Sequence, residues 1–389
     1  MLIGLPGVDG VTDMWQRLAR ESRPIVVYGM GNGADKLFSR FSEYGITVSD
    51  VFASDGFVRG HSYRGFRVKS YSEISDAYSD FVIVVSFASR LPEVIDYIKG
   101  LSEKHDLYIP DMPVDGDEYF DSAFYKAHFS ELSEAEKLFY DEDSKKLFEE
   151  IVRYKLSGDI RYLESTVTAD EMYALMSKND VRVAIDAGAY NGDTAREMKR
   201  YFNNLKKIYA IEPDKRNFKK LLKYSEAEAE IEVMPINAAV ADFDGVTAFS
   251  GSGNRNSSIS STPSFEHSAG EVRAVVLDTL TDEKIDYIKY DVEGMEYAAL
   301  TGSFELIKRD RPMLLVSLYH KSSDLYKLPL LLAKELAGYR FYLRRLSCIP
   351  AWELNLILIP DGTYETATSL SQRSVLTSGH GSILTATEL

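Results

Sequence analysis

Cysteine is nearly missing from this chain. Among 389 residues there is one, Cys348, which excludes an intramolecular disulfide and any CxxC-type zinc site. Long hydrophobic runs are missing too. No window approaches the roughly 18 consecutive apolar residues of a membrane-spanning helix, and the opening MLIGLPGVDGVTDMW lacks the basic segment and apolar core of a secretory leader. Positive charge is short: forty-five Lys and Arg face sixty Asp and Glu, a net charge of −15. That argues against a general binder of nucleic acid or anionic membranes, although a local basic pocket stays open. The six histidines show no metal-ligand spacing. Together these absences predict a soluble, cytoplasmic protein with no nucleic-acid or membrane partner. Core material, by contrast, is plentiful, with 45% hydrophobic residues in a chain long enough for two domains.

The order of elements gives the fold class. RPIVVYGMGNGADKLFSRFSEYGITVSDVFASD (23–55) reads as an apolar strand, a glycine loop, an amphipathic helix and a second strand. A helix over 70–78, the strand FVIVVSFA, the helix LPEVIDYIKGL and a strand near LYIP continue the alternation, which predicts a doubly wound α/β domain. ELSEAEKLFYDEDSKKLFEEIVRYKLSG then places Glu, Lys, Tyr and Phe at helical spacing. VRVAIDAGAYNGDTAREMKRYF restarts the alternation, followed by strands in KIYAIEP, IEVMPINAAVAD, DYIKYDV, PMLLVSLYH, YRFYLRRL and WELNLILIP. The last two lack an intervening helix and predict an antiparallel hairpin at one sheet edge. The expected division is a Rossmann-like domain at 1–115, a helical connector at 116–166, a second doubly wound domain at 167–360 and a flexible Thr-, Ser- and Gly-rich tail at 361–389.

Two glycine loops follow first strands, and they differ. Gly29, Gly31 and Gly33, with Ala34, satisfy GxGxx(G/A), which lets backbone amides approach a pyrophosphate at a helix start; Asp55 or Asp50 would then meet the ribose. The alternative is a tight strand-to-helix turn with no ligand. In DAGAYNGDT, Asp186 ends the strand, Gly188 and Gly192 form the turn, and Tyr190 and Thr194 lie beside them. An acid there would repel a pyrophosphate but suit a ligand bearing an ammonium group and a positive centre. Glu212, ending the next strand in YAIEP, can accept both hydroxyls of a ribose, in charge-assisted bonds worth roughly 1.5–3 kcal/mol. The Tyr190 ring suits a sulfonium, and Asp242, closing the third strand, completes the set. An acid after strand one, glycines in the turn and an acid after strand two describe an S-adenosylmethionine (SAM) pocket.

IDYIKYDVEGMEYAAL (285–300) puts Lys289, Asp291 and Glu293 at alternate positions of a strand that should be apolar if it is central and parallel. The alternation sends all three to one face, and the carboxyl end of such a strand borders the ligand crevice of an open α/β sheet. Asp291 and Glu293 therefore read as the floor of a reaction site, with Lys289 as a neutralising partner or substrate contact. His320, in SLYH just past the next strand, reads as the general base or the group orienting an acceptor hydroxyl; capping the following helix is its alternative. Asp291, Glu293 and Glu296 offer oxygens of the kind magnesium accepts, but the compact signature of a metal site is lacking, so no metal is assigned. Asn256, Ser257 and Ser258, in a Gly/Ser/Asn loop after strand three, read as contacts of a lid to a carbohydrate-like acceptor.

The run from 183 to 359 resembles the FkbM-type methyltransferases, a class I SAM-dependent family. VAIDAGAYNGDT, IYAIEPDKRNF, VVLDTL, IDYIKYDVEGMEYAALTGS, RPMLLVSLYH and YRFYLRRLS carry the resemblance, in the family's order. It implies a class I methyltransferase fold for the second domain and methyl transfer, usually to a hydroxyl oxygen of a sugar, polyketide or related metabolite. The first domain lies outside it and is expected to bind or present the acceptor. Two rivals remain: a nucleotide-dependent oxidoreductase acting through the first domain, and a catalytically silent SAM-binding scaffold. Nothing in the sequence specifies an oligomeric state.

Overall fold

A computed structural model describes residues 8, 10–58, 60–177, 180–249 and 270–362. Asn256, Ser257, Ser258 and the expected tail beyond residue 362 lie outside the described residues. The protein has a mixed α/β fold built on two parallel-stranded sheets. The first holds β1 (Ile25–Tyr28), β2 (Asp50–Phe52), β3 (Val82–Val85) and β4 (Leu107–Tyr108) in the order β2-β1-β3-β4, all parallel. IVVY and VIVV are buried at every position, as strands covered on both faces require. Helix α1 (Asn32–Tyr44) packs so tightly on the end of β3 that a Cβ on Gly33 would lie 2.1 Å from the Ser86 carbonyl oxygen. Helix α2 (Pro92–Ser102) leads from β3 toward β4.

Short helices at Ser122–Ala127 and Phe129–Lys137 and the longer α3 (Glu142–Ser157) join the two sheets. Asp141 caps α3 by accepting from the Ser144 amide and also binds Arg344 at 2.6 Å. The Tyr140 amide donates to the Phe341 carbonyl at 2.8 Å, so the connector is fastened to the edge of the second sheet.

That sheet contains β5 (Val183–Ala187), β6 (Lys207–Ile211), β7 (Glu232–Ile236), β8 (Tyr287–Tyr290), β9 (Met313–Ser317), β10 (Tyr339–Arg345) and β11 (Leu354–Pro360). Their order is β10-β11-β9-β8-β5-β6-β7, with β11 antiparallel to both neighbours. Strand order reverses between β5 and β8, which sets the crevice at the carboxyl ends of those two strands. Here the structure corrects the expected alternation. β8 stops at Tyr290; Asp291 keeps to the side of Lys289, to which it is paired at 3.0 Å, whereas Glu293 at φ 52° and Gly294 at φ 97° leave the pleat in a turn. The segment packs closely on the glycine turn after β5: Gly188, at φ 93°, lies where a Cβ would come within 1.9 Å of the Asp291 carbonyl oxygen.

The two sheets share one apolar core, which runs from Val26 and Ile83 through Phe120 and Phe148 to Ile288 and Leu314. Ser89 and Ile349 exchange backbone hydrogen bonds of 2.8 and 3.0 Å, and the amides of Val114 and Asp115 both donate to the His320 carbonyl at 3.0 Å. Among the described residues, no helix is long and apolar enough to cross a membrane.

Candidate active site

A cavity of about 880 Å³ opens at the carboxyl ends of β5, β6 and β8, near the top of the size range of small-molecule sites. One wall carries Gly188, Tyr190, Thr194, Glu212 and Asn217; the floor carries Lys289, Asp291 and Glu293; the opposite wall carries Ser89, Arg90, Trp352 and Glu353.

The first wall is built by two strand ends. Glu212, 6% exposed, accepts the Tyr190 amide through one oxygen and the Asp214 amide through the other, each at 2.8 Å. Burial pushes its carboxyl up to about 8, against the pull of those two amides. Tyr190 holds φ 47°, unusual for a side-chain-bearing residue, and one face of its ring already carries the Lys220 ammonium at 5.4 Å. Gly192 caps helix α4 (Asp193–Tyr201) from behind the wall and is not among the lining residues. Two expected cofactor contacts are placed elsewhere. Asp186 is fully buried behind the Gly188 turn, in register with Lys289, and neither carboxylate oxygen has a hydrogen bond among the described residues. Burial pushes it up to about 7, with Lys289 opposing. Asp242 is exposed, because the chain lines the cavity with Ala238, Ala239 and Val240 and then turns outward.

The floor is a charge network. Lys289 donates to Asp291 at 3.0 Å and to Thr194 at 3.4 Å. The other Asp291 oxygen accepts the hydroxyls of Ser317 at 3.0 Å and Tyr319 at 3.1 Å. Burial works against the Asp291 charge, but Lys289, His320 and these donors outweigh it and hold the carboxyl well below the usual range. His320 lies beneath the floor, with its side chain 1% exposed. Its Nδ1 is 2.9 Å from Glu296, and its Nε2 is 3.5 Å from Asp291 and 3.6 Å from Glu293. Burial pulls the imidazole down, yet the surrounding carboxylates, Glu296 first, raise it to about 10.

His320, expected as the base or the group orienting the acceptor hydroxyl, lies beneath the floor and does not line the cavity, and the carboxylates around it favour its protonated form. Glu293 lines it instead. Burial pushes Glu293 up to about 8; His320 pulls it down while Asp291 and Glu296 push it further up. A carboxyl poised near the operating pH is suited to proton transfer.

The N-terminal glycine loop is not part of this cavity: Gly29, Gly31 and Gly33 do not line it, and Asp55 lies exposed in a short 3₁₀ turn. The Tyr63 hydroxyl lies 2.7 Å from Asp35 and 3.2 Å from the Gly31 carbonyl, at the edge of a loop that stays exposed at Gly31 and Asn32. Asp50 is occupied by Lys69 at 2.6 Å and Tyr78 at 2.8 Å. What the first sheet contributes is the segment after β3. Sequence reasoning missed Arg90, Trp352 and Glu353, although Arg90 lies two residues past the apolar stretch FVIVVSFA, at the sheet end where ligands bind. Among the described residues, no cluster of three or more His, Cys, Asp or Glu is arranged to hold a metal ion.

Residues 186–341 match the family model of the methyltransferase FkbM domain. Among solved structures, methyltransferase FkbM from Methylobacillus flagellatus KT superposes over 90% of this chain and 95% of its own, at 18% identity and a TM-score of 0.68, so the fold is shared across both sheets. An rRNA methylase from Streptococcus thermophilus matches 49% of this chain and 94% of its own, at 14% identity and a TM-score of 0.32. Fibrillarin from Aeropyrum pernix, in complex with natively bound S-adenosyl-L-methionine, matches 49% and 74%, at 15% identity and a TM-score of 0.30. No curated protein matches the chain.

Proposed function

We propose that this chain, which carries an FkbM-type methyltransferase domain at residues 186–341, is a SAM-dependent enzyme that methylates a hydroxyl oxygen of a small, carbohydrate-like acceptor. The observation that carries the reading is a single cavity with a Gly188–Glu212 wall on one side and the titrating Glu293 carboxyl on its floor. The residues fit the cofactor. Among the described residues each Glu212 oxygen accepts one backbone amide, which leaves lone pairs for two ribose hydroxyls. Its raised pKa, about 8, is that of a buried carboxyl short of donors, and hydroxyl donors would bring it down.

SAM, when bound, supplies a methyl group on a sulfonium. The chain supplies alignment, exclusion of water and a proton acceptor. Holding two reactants in line can contribute on the order of 7–11 kcal/mol. Glu293 takes the proton leaving the acceptor oxygen, and the buried His320 imidazolium, fixed by Glu296, keeps the pKa of Glu293 from rising further. Lys289 and Asp291 hold each other and the floor in place. The acidic balance of the chain, −15 overall, favours a small-molecule acceptor over a nucleic acid. The methyltransferase reading is preferred to the oxidoreductase alternative because the N-terminal glycine loop lies off the cavity.

The test is incubation with SAM carrying a deuterated methyl group and a set of methyl glycosides, followed by mass spectrometry. A labelled methyl ether is the expected product. Label on nitrogen or carbon would remove the oxygen assignment.

A further inference from the structure

The cavity has a wall that the methyltransferase domain does not supply. After the buried end of β3 the chain runs through Ser89 to Arg90, and the paired hydrogen bonds between Ser89 and Ile349 seat this segment against the loop joining β10 to β11. Arg90 from the first sheet and Trp352 and Glu353 from the second consequently line the same space.

We infer that Arg90, with Trp352 and Glu353, forms an acceptor-recognising subsite that both sheets must complete, and that it selects a neutral, polyhydroxylated ring. The inference rests on the methyltransferase reading and names the specificity-determining residues of that site.

Arg90 and Glu353 form an ion pair across the seam, with the Arg90 side chain 48% exposed and that of Glu353 15%. An exposed pair contributes little stability by itself. Yet Glu353 is held at φ 61°, a strained conformation for a residue with a side chain. Its carbonyl is pinned there by the Leu346 amide at 3.1 Å and by Asn355 Nδ2 at 2.8 Å. Strain retained to aim a partly solvated carboxylate into a cavity points to recognition rather than to folding.

Trp352 supplies the platform. Its ring lies near-parallel to Tyr319, 6.5 Å between centroids and 25° between planes, and Tyr319 is tied to the floor through Asp291. The Trp352 Nε1 is buried and has no hydrogen-bond partner among the described residues, so it is the indole ring rather than its N–H that meets the cavity. Along the whole lining, six acidic side chains face four cationic ones, and with the Glu212 and Glu293 carboxyls both pushed up to about 8 and mostly neutral at pH 7, neither sign is in surplus. A lining without surplus charge suits hydroxyls, which donate to Glu353 while the Arg90 fork donates to ring or hydroxyl oxygens. A flat aromatic acceptor would stack on Trp352 but leave the Arg90–Glu353 pair unused.

The test uses methyl hexosides, methyl 6-deoxyhexosides and methyl hexuronides with wild type, Arg90→Ala, Arg90→Lys, Trp352→Ala and Glu353→Gln. Turnover is read beside SAM affinity by calorimetry and thermal midpoint. Neutral glycosides are expected to be preferred over the uronides. KM for the glycoside should rise about tenfold or more in Arg90→Ala and Trp352→Ala, with SAM affinity and midpoint unchanged. Arg90→Lys should recover only part of the loss, because an ammonium lacks the planar fork, and Glu353→Gln should alter the ranking of the glycosides. Unchanged KM in both alanine variants would overturn the inference. So would a joint loss of SAM affinity and thermal midpoint, the mark of a mere latch between the sheets, or no glycoside turnover by a wild type that binds SAM. A wild type that binds no SAM would overturn the methyltransferase reading and this subsite with it.

Discussion

If Glu293 takes the acceptor proton, its titration must appear in the pH dependence of the reaction. With its carboxyl at about 8, roughly a tenth is ionised at pH 7, so kcat/KM should climb about tenfold between pH 7 and a plateau above pH 9. Glu293→Gln removes the base while keeping shape, and should cost ~10²–10⁴-fold with the inflection abolished. His320→Asn is the more discriminating change. The imidazolium Nε2 is 3.6 Å from Glu293, and a charge pair near 4 Å at an effective dielectric of 20 is worth about 4 kcal/mol. Glu293 is 30% exposed and shares that cation with Asp291 and Glu296, which reduces the effect to about one or two pKa units. Because a cation favours the carboxylate, its loss must move the inflection to higher pH. The assay is kcat/KM from pH 6 to 10 with a turned-over methyl glycoside at saturating SAM. A near-wild-type rate in Glu293→Gln, or a downward shift in His320→Asn, would refute the assignment.

Three other outcomes follow from the same network. Gly188→Ala should cost at least roughly 1–3 kcal/mol, through positive φ and the collision with Asp291, and should weaken SAM binding, read by thermal shift with and without cofactor. His320 has a folded pKa of about 10 against an ordinary 6.5, so its stabilisation is full below pH 6.5 and lost as pH rises through 10. The wild-type thermal midpoint should therefore fall between pH 7 and 10 more steeply than that of His320→Asn. Arg345, 1% exposed, donates to the carbonyls of Cys348 and Leu163; Arg345→Met should lose roughly 1–3 kcal/mol per stranded carbonyl in urea unfolding.

The strands were legible because they are short apolar or aromatic runs alternating with amphipathic helices, and IYAIEP and SLYH mark two strand ends directly. The identity of the floor was legible for a related reason, since Lys289, Asp291 and Glu293 interrupt an otherwise apolar segment. Their geometry was not. A two-residue period assumes the strand continues, whereas the backbone turns at Glu293 and Gly294, both at positive φ. His320 was legible as the residue just past a strand end, but its burial beneath the floor and its contact with Glu296, 24 residues away, were not. The Arg90 wall was invisible for the same reason at greater range. Arg90 and Glu353 are 263 residues apart, and no local spacing records that they meet.

The central claim is that the Gly188–Glu212 wall holds SAM. Calorimetric titration of SAM into wild type and Glu212→Gln tests it most directly, because the amide keeps the size of the side chain and removes the charge that ribose hydroxyls would meet. Wild type should bind one equivalent. Glu212→Gln, with its fold verified by thermal midpoint, should bind at least about tenfold more weakly. Equal affinity in the two proteins, or no binding heat in either, would contradict it.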